Sequence, residues 1–86
     1  MKTFKDLEFV AHPSHIEGVQ ARITFENGYG ASVVKSPYTY GGDKGLYELA
    51  VFKNGEITYA TPITDDVIGY LRPEDVTDVM TKIQQL

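Results

Sequence analysis

Apolar and polar side chains alternate strictly through Val19-Gln20-Ala21-Arg22-Ile23-Thr24-Phe25, which sends Val19, Ala21, Ile23 and Phe25 to one face and Gln20, Arg22 and Thr24 to the other. A period of two is the signature of a half-buried strand. Alternation resumes at Tyr29-Gly30-Ala31-Ser32-Val33-Val34, with Tyr29, Ala31 and Val33 in phase, and Asn27-Gly28 between the runs predicts a hairpin. Two loop geometries compete. A two-residue turn would pair Phe25 with Gly30 and Ile23 with Ser32, setting the apolar residues of one run against the polar face of the other. A three-residue loop, with Glu26-Asn27 in a type I turn and Gly28 left-handed, instead pairs Phe25 with Tyr29, Ile23 with Ala31 and Ala21 with Val33. The bulged loop is the expected one.

A second hairpin is expected where Leu46 to Phe52 runs into Ile57-Thr58-Tyr59-Ala60 across Asn54-Gly55. Its register stays open: a bulged loop stacks Val51 on Ile57 and Leu49 on Tyr59, whereas a two-residue turn pairs Phe52 with Ile57 and Lys53 with Glu56. An earlier strand is predicted over Phe4 to Val10, because Leu7, Phe9 and Ala11 alternate with Asp6, Glu8 and His12 until Pro13 stops the run. After Pro62, the stretch Ile63 to Gly69 reads as one helical turn, with Thr64 as cap and Gly69 as terminator. The clearest helix comes last, where Val76, Val79, Met80, Ile83 and Leu86 share one face. Pro73 suits its first position, Glu74 and Asp75 complement its dipole, and Leu71 can staple onto Val76.

This order predicts an α+β fold in one domain over residues 1–86: an antiparallel sheet of four to five strands built from hairpins, with a C-terminal amphipathic helix packed on one face. Five strands span about 20 Å or more, but a helix covers only about 10 Å, so part of the sheet needs another cover. A homodimer is the expected solution, with Phe52, Leu46 and Val34 as candidate contacts.

The chain has 86 residues, 8 Lys and Arg against 12 Asp and Glu for a formal charge of −4, and no cysteine. Its lysines and arginines are scattered, so the basic stripe that drives nucleic-acid binding is missing and no direct nucleic-acid contact is expected. Without cysteine there is neither a disulfide frame nor a thiolate zinc site, which leaves a reducing cytoplasm as the expected location. No run reaches the about 18 apolar residues of a membrane span, and the first residues do not resemble a signal-peptide core.

Several residues invite a chemical reading. His12 and His15, with Glu8 or Glu17, could be written as a metal site, but Pro13 interrupts any helix that would align them and no further His or Cys completes a shell, so no metal is expected. Ser14 beside His15 makes no catalytic dyad, since adjacent residues of an extended loop point apart. Gly41-Gly42-Asp43-Lys44-Gly45 has the glycines and the lysine of a phosphate loop, but lacks the Gly-x-x-x-x-Gly-Lys-Ser/Thr spacing, and a strand follows it in place of a helix. Asp65 and Asp66 offer an acidic surface, or simply the acidic first turn after a capping threonine. Ser36 to Gly45 joins Tyr, Ser and Gly in a ten-residue connection, the mixture that binding loops use for rigid aromatic contact. Tyr38, Tyr40, Gly41, Gly42, Asp43 and Lys44 are therefore the candidate binding residues; the competing reading has both tyrosines fastened onto the sheet.

Taken together, Phe25-Glu26-Asn27-Gly28-Tyr29-Gly30-Ala31-Ser32-Val33-Val34, Tyr40-Gly41-Gly42, Gly45-Leu46-Tyr47-Glu48-Leu49-Ala50-Val51 and Thr61-Pro62-Ile63-Thr64-Asp65-Asp66-Val67-Ile68-Gly69-Tyr70-Leu71 resemble a family of short uncharacterised proteins encoded by tailed bacteriophages and prophages. The likeness runs from about His12 to Leu86. It implies a viral origin and expression in a bacterial cytoplasm, and carries over no catalytic residue, cofactor or substrate. Arg72 departs from the small capping residue expected before Pro73-Glu74. The expectation is a non-catalytic accessory protein that binds a host or viral protein and modulates metabolism or defence. The alternative is a small-ligand or nucleotide-binding protein using the loop 36–45.

Overall fold

The computed structural model describes residues 1–63 and 67–86. Alternation becomes an antiparallel sheet of β1 (Val10–Ala11), β2 (Val19–Thr24), β3 (Tyr29–Lys35), β4 (Tyr47–Lys53), β5 (Glu56–Ile57) and β6 (Ile68–Leu71), followed by helix α1 (Pro73–Gln84). The spatial order is β1-β2-β3-β4-β5, and β6 also pairs with β4. Because β3 occupies one edge of β4, the short β5 and β6 share the other, at Phe52–Lys53 and Tyr47–Leu49 respectively.

The first hairpin takes the bulged register. Ile23 lies opposite Ala31 and Ala21 opposite Val33, the Phe25 amide donates to the Tyr29 carbonyl at 2.7 Å, and Gly28 is left-handed at φ 86°. Asn27 does two things there. Its Oδ1 accepts the Tyr29 amide at 3.1 Å, closing the turn, and its Nδ2 donates to the Ile83 carbonyl at 2.9 Å. That carbonyl also accepts the Leu86 amide at 3.1 Å, so the hairpin adds a second bond to the helix end and ties sheet to helix. In the second hairpin the two-residue alternative is the one adopted: Phe52 faces Ile57 and Lys53 faces Glu56, with Asn54 and Gly55 both at positive φ. That is the twist-matched turn that Asn-Gly favours.

Two expected elements are corrected. Phe4–Asp6 forms a 3₁₀ turn, and the first strand is reduced to Val10–Ala11. The alternation of Leu7 and Phe9 is satisfied by packing beneath the sheet: Phe4, Phe9 and Tyr47 stand with ring centroids 5.2 to 5.6 Å apart. The Phe4 amide donates to Thr77 Oγ1 at 3.0 Å, and the Lys2 backbone exchanges two hydrogen bonds of 2.8 Å with the Gln84 side chain. The chain's beginning therefore lies along α1. The helical turn expected over Ile63 to Gly69 gives way, at Ile68 and Gly69, to β6. Its cap Thr64 and the acidic pair Asp65 and Asp66 lie outside the described residues.

Val76, Met80 and Ile83 of α1 are fully buried against Val33, Leu49 and Val51 of the sheet, as the helical spacing predicts. Arg72 precedes Pro73 as the cap residue, and Asp75 reaches back to it: Oδ2 accepts the Arg72 amide at 3.0 Å and its Nε–H at 3.2 Å. α1 and the N-terminal segment share the inner face of the sheet. The outer face carries Arg22, Ser32 and Ala50 in one cross-strand row, and the Arg22 guanidinium sits 4.3 Å from the Phe52 ring centroid, shielding it. Among the described residues no helix is long and apolar enough to cross a membrane.

Candidate functional site

The connection from β3 to β4 is built on Ser36, a polar residue only 2% exposed. Its amide donates to Thr39 Oγ1 at 3.0 Å, and its carbonyl accepts the Thr39 hydroxyl at 3.1 Å. Its Oγ accepts the Tyr38 amide at 3.1 Å and lies 2.9 Å from His15 Nδ1. Short Ser and Thr side chains compete well for nearby backbone groups, which is how a segment without helix or strand periodicity becomes ordered. Further along, the Tyr40 amide donates to Glu48 Oε2 at 2.9 Å, pinning the middle of the loop to β4.

The far half of the loop docks on β6 through two glycines. The Tyr70 amide donates to the Tyr40 carbonyl at 3.1 Å, a Cβ on Gly41 would meet the Tyr70 backbone at 2.9 Å, and a Cβ on Gly69 would collide with Tyr40 Cβ. Each glycine faces the other segment's tyrosine. Tyr70 itself occupies a bulge: Gly69 and Tyr70 together oppose Glu48, between the Leu49–Ile68 and Tyr47–Leu71 pairs, and Tyr70 has φ 58°. A bulky residue there is a genuine outlier, and such strain concentrates where a side chain is being aimed.

These contacts hold the backbone and leave most of each ring's surface in water. Tyr38 is 75% exposed, Tyr40 61% and Tyr70 59%, so the reading in which Tyr38 and Tyr40 fasten onto the sheet does not describe this loop. Asp43 and Lys44 are exposed in the 3₁₀ turn Gly42–Lys44, with Lys44 Nζ 5.9 Å from the Tyr70 ring centroid. All six candidate binding residues thus stand on one loop, and β6 brings Tyr70 to join them. The phosphate reading fares less well on geometry. The amides of Gly42, Lys44, Gly45 and Leu46 donate inward to the carbonyls of Thr39, Gly41, Gly42 and Gly41, so they do not converge on an anion. Nor does the loop line either of two open clefts, one of about 720 Å³ beside Met1, Thr24 and Asn27, the other of about 330 Å³ beside Pro62, Val79 and Leu86.

Residues 12–18 curl so that His12 and His15 stack, centroids 4.0 Å apart and planes 6° from parallel, while the edge of His15 meets Tyr38 at 5.4 Å. Alignment on a helix was not needed. His12 Nδ1 accepts two amides, those of Ser14 and His15, both at 3.0 Å. Among the described residues no three His, Cys, Asp or Glu side chains gather as a metal shell. The serine that meets His15 is Ser36, twenty-one positions away, and not Ser14. Buried and holding the Tyr38 amide, its hydroxyl serves as a tie between two loops and has no opening toward a substrate.

Compared with protein-family models, with curated proteins and with solved structures, the chain matches none.

Proposed function

We propose that this chain is a non-catalytic binding protein that presents Tyr38, Tyr40 and Tyr70 to a protein partner. One observation carries the reading: three tyrosines remain largely in water while the backbone beneath them is braced by side-chain and backbone hydrogen bonds. Exposed aromatic rings on an ordered backbone lose little conformational entropy on binding, which is why such loops recur in recognition surfaces. The two clefts lie elsewhere, beside Met1 and Asn27 and beside Pro62 and Leu86, and flat exposed rings suit a macromolecular surface better than an enclosed small ligand. The resemblance to phage and prophage proteins supports a host or viral protein as the partner, met in a bacterial cytoplasm.

Affinity capture from bacterial lysate, with and without infection, tests this. Tyr38→Ala and Tyr40→Ala should each weaken capture by about 1 to 2 kcal/mol, the range of aromatic contact residues. Undiminished capture by both variants, with lowered melting temperatures, would return the tyrosines to a packing role.

A further inference from the structure

We propose that Asn54 is a site of spontaneous deamidation and that Asn27, which precedes a glycine in the same way, is protected from it. In this reaction the glycine amide nitrogen gives its proton to water or hydroxide and attacks the asparagine Cγ. The side-chain nitrogen takes up a proton and leaves as ammonia, and a cyclic succinimide remains. Water then adds to the ring. Breaking the new Cγ–N bond gives aspartate, and breaking the original peptide bond gives isoaspartate, in which the main chain runs through Cγ. One water enters and one ammonia leaves, so no oxidant or reductant takes part. Glycine permits the ring closure most readily, since it has no side chain in the path of the attack. Asn27-Gly28 and Asn54-Gly55 both meet that requirement, and the fold decides between them.

Both asparagines are exposed, so water reaches each of them, and hydrogen bonding is what separates them. The Asn27 side chain is engaged at both ends, Oδ1 by the Tyr29 amide at 3.1 Å and Nδ2 by the Ile83 carbonyl at 2.9 Å. The nitrogen that would attack it, that of Gly28, donates to the Phe25 carbonyl at 3.1 Å. Ring closure at Asn27 therefore breaks three hydrogen bonds, one of them the tie to α1. Among the described residues neither the Asn54 side chain nor the Gly55 amide has a hydrogen-bond partner. The left-handed turn itself, with φ 51° at Asn54 and 84° at Gly55, must open before the Gly55 nitrogen can swing about the Asn54 Cα–C bond to reach Cγ. Little holds it shut. β5 is two residues long, lies at the end of the sheet, and pairs at Phe52–Ile57 and Lys53–Glu56, with the Thr58 amide on the Val51 carbonyl beyond them. Short edge pairings of this kind open far more often than a core ladder such as the six pairs of β2 with β3. The Asn54 amide donates to the Gly28 carbonyl at 2.9 Å, but that bond holds the near side of Cα and leaves the rotation beyond it free. Isoaspartate at this position lengthens the turn by a main-chain carbon, so the two-residue register that sets Phe52 against Ile57 no longer closes. Either product puts a new carboxylate next to the first hairpin, because a Cβ on Gly28 would meet Asn54 Oδ1 at 3.3 Å.

Peptide mapping by mass spectrometry, on the whole chain aged in mildly alkaline buffer, reads the two sites separately and needs no partner. In the folded chain the peptide holding Asn54 should gain the mass of the amide-to-acid exchange about tenfold faster, or more, than the peptide holding Asn27. Part of the product should be isoaspartate, detected by its methylation with an isoaspartyl methyltransferase. In guanidinium chloride the two sites should react at like rates, because both then depend only on a following glycine. Ile57→Gly, which weakens the hold of β5 on Phe52, should speed the reaction at Asn54 and leave Asn27 as it was. Equal rates at the two sites in the folded chain, or a faster Asn27, would overturn the proposal. So would an inert Asn54 under conditions in which the denatured chain reacts, and an unchanged Asn54 rate in Ile57→Gly would overturn the part given to β5.

Discussion

Phe4, Phe9 and Tyr47 meet ring to ring beneath the sheet, whereas Tyr38, Tyr40 and Tyr70 stand at one end of it with most of their surface in water. The rings are chemically alike, so their hydrophobicity does not explain the difference. The backbone around them does. In the first group a few polar ties set the N-terminal segment along α1, and the burial of apolar surface by neighbours such as Leu49 and Ile83 holds Phe4 and Phe9 on Tyr47. In the second, Ser36, Thr39, Glu48 and the reciprocal glycine contacts fix the backbone first, each hydrogen bond contributing about 0.5 to 1.5 kcal/mol, and the side chains point where the fixed backbone sends them. One region is ordered by its side chains; the other is ordered so that its side chains can be used.

Breaking the buried region should cost most. Leu49 is fully buried where β4 meets α1, so Leu49→Ala should lower unfolding free energy by about 2 to 5 kcal/mol in urea denaturation. A change below about 1 kcal/mol would mean that this face is less tightly packed than its burial indicates.

Next comes the contact that joins the regions. Gly69→Ala puts a Cβ into Tyr40, and the loop must separate from β6 or the bulge must shift, at about 1 to 3 kcal/mol. Here the expected signature is double: a lower melting temperature together with displaced amide signals at Tyr40, Gly41 and Tyr70. Loss of stability with those signals in place would show that the strain is absorbed elsewhere.

Such a contact could not be read from the chain, and the reason is instructive. The first hairpin was legible because Ala21, Ile23 and Phe25 meet Val33, Ala31 and Tyr29 in only one register that keeps apolar side chains on one face. Helix α1 was legible because Val76, Met80 and Ile83 carry the period of their own element. Both signals are local. Phe4 to Val10 carried an equally good alternation, yet its partners are Thr77 and Tyr47, and a period of two says only that alternate residues are buried, not that a neighbouring strand is there. Ile68-Gly69-Tyr70-Leu71 failed for the opposite reason. Its bulge breaks the alternation, and a glycine read as a helix terminator serves as a clearance for Tyr40. Of the candidate site, the loop and its tyrosines were visible as an unusual composition. Tyr70 and the linked His12, His15 and Ser36 were not, because they are assembled from segments distant in sequence.

Removing the exposed rings sharpens the comparison from the other side. Tyr38→Ala and Tyr40→Ala should change unfolding free energy by no more than about 0.5 kcal/mol, the ordinary range for surface positions, while the corresponding Phe9→Ala change should exceed 1 kcal/mol. Equal losses at all three positions would erase the distinction between the two regions. The same variants carry the capture assay, so stability and binding are read on one set of proteins.

The smallest expected effect concerns the start of α1, which belongs to the buried region but is held, like the loop, by polar ties. Asp75 has its carboxyl held below the ordinary 3.8 first by the Arg72 amide and then by the Arg72 guanidinium. A carboxylate favoured in the folded state stabilises fully above its unfolded value, and that contribution is lost as pH falls below 3.8 through the folded value. Asp6, held by the Thr3 amide, acts in the same direction, so a single variant must be compared with the natural chain and not with itself across pH. Asp75→Asn keeps an oxygen for the Arg72 amide but gives up the charge beside the guanidinium and at the helix N-terminus. Because the site is open to solvent, the difference in melting temperature between the two proteins should be slight at pH 6. It should narrow further by pH 3, as the natural carboxyl takes up its proton. A gap that is constant from pH 6 to pH 3 would show that the charge of Asp75 adds nothing to the hydrogen bond, and that the helix start is held as neutrally as the tyrosine loop.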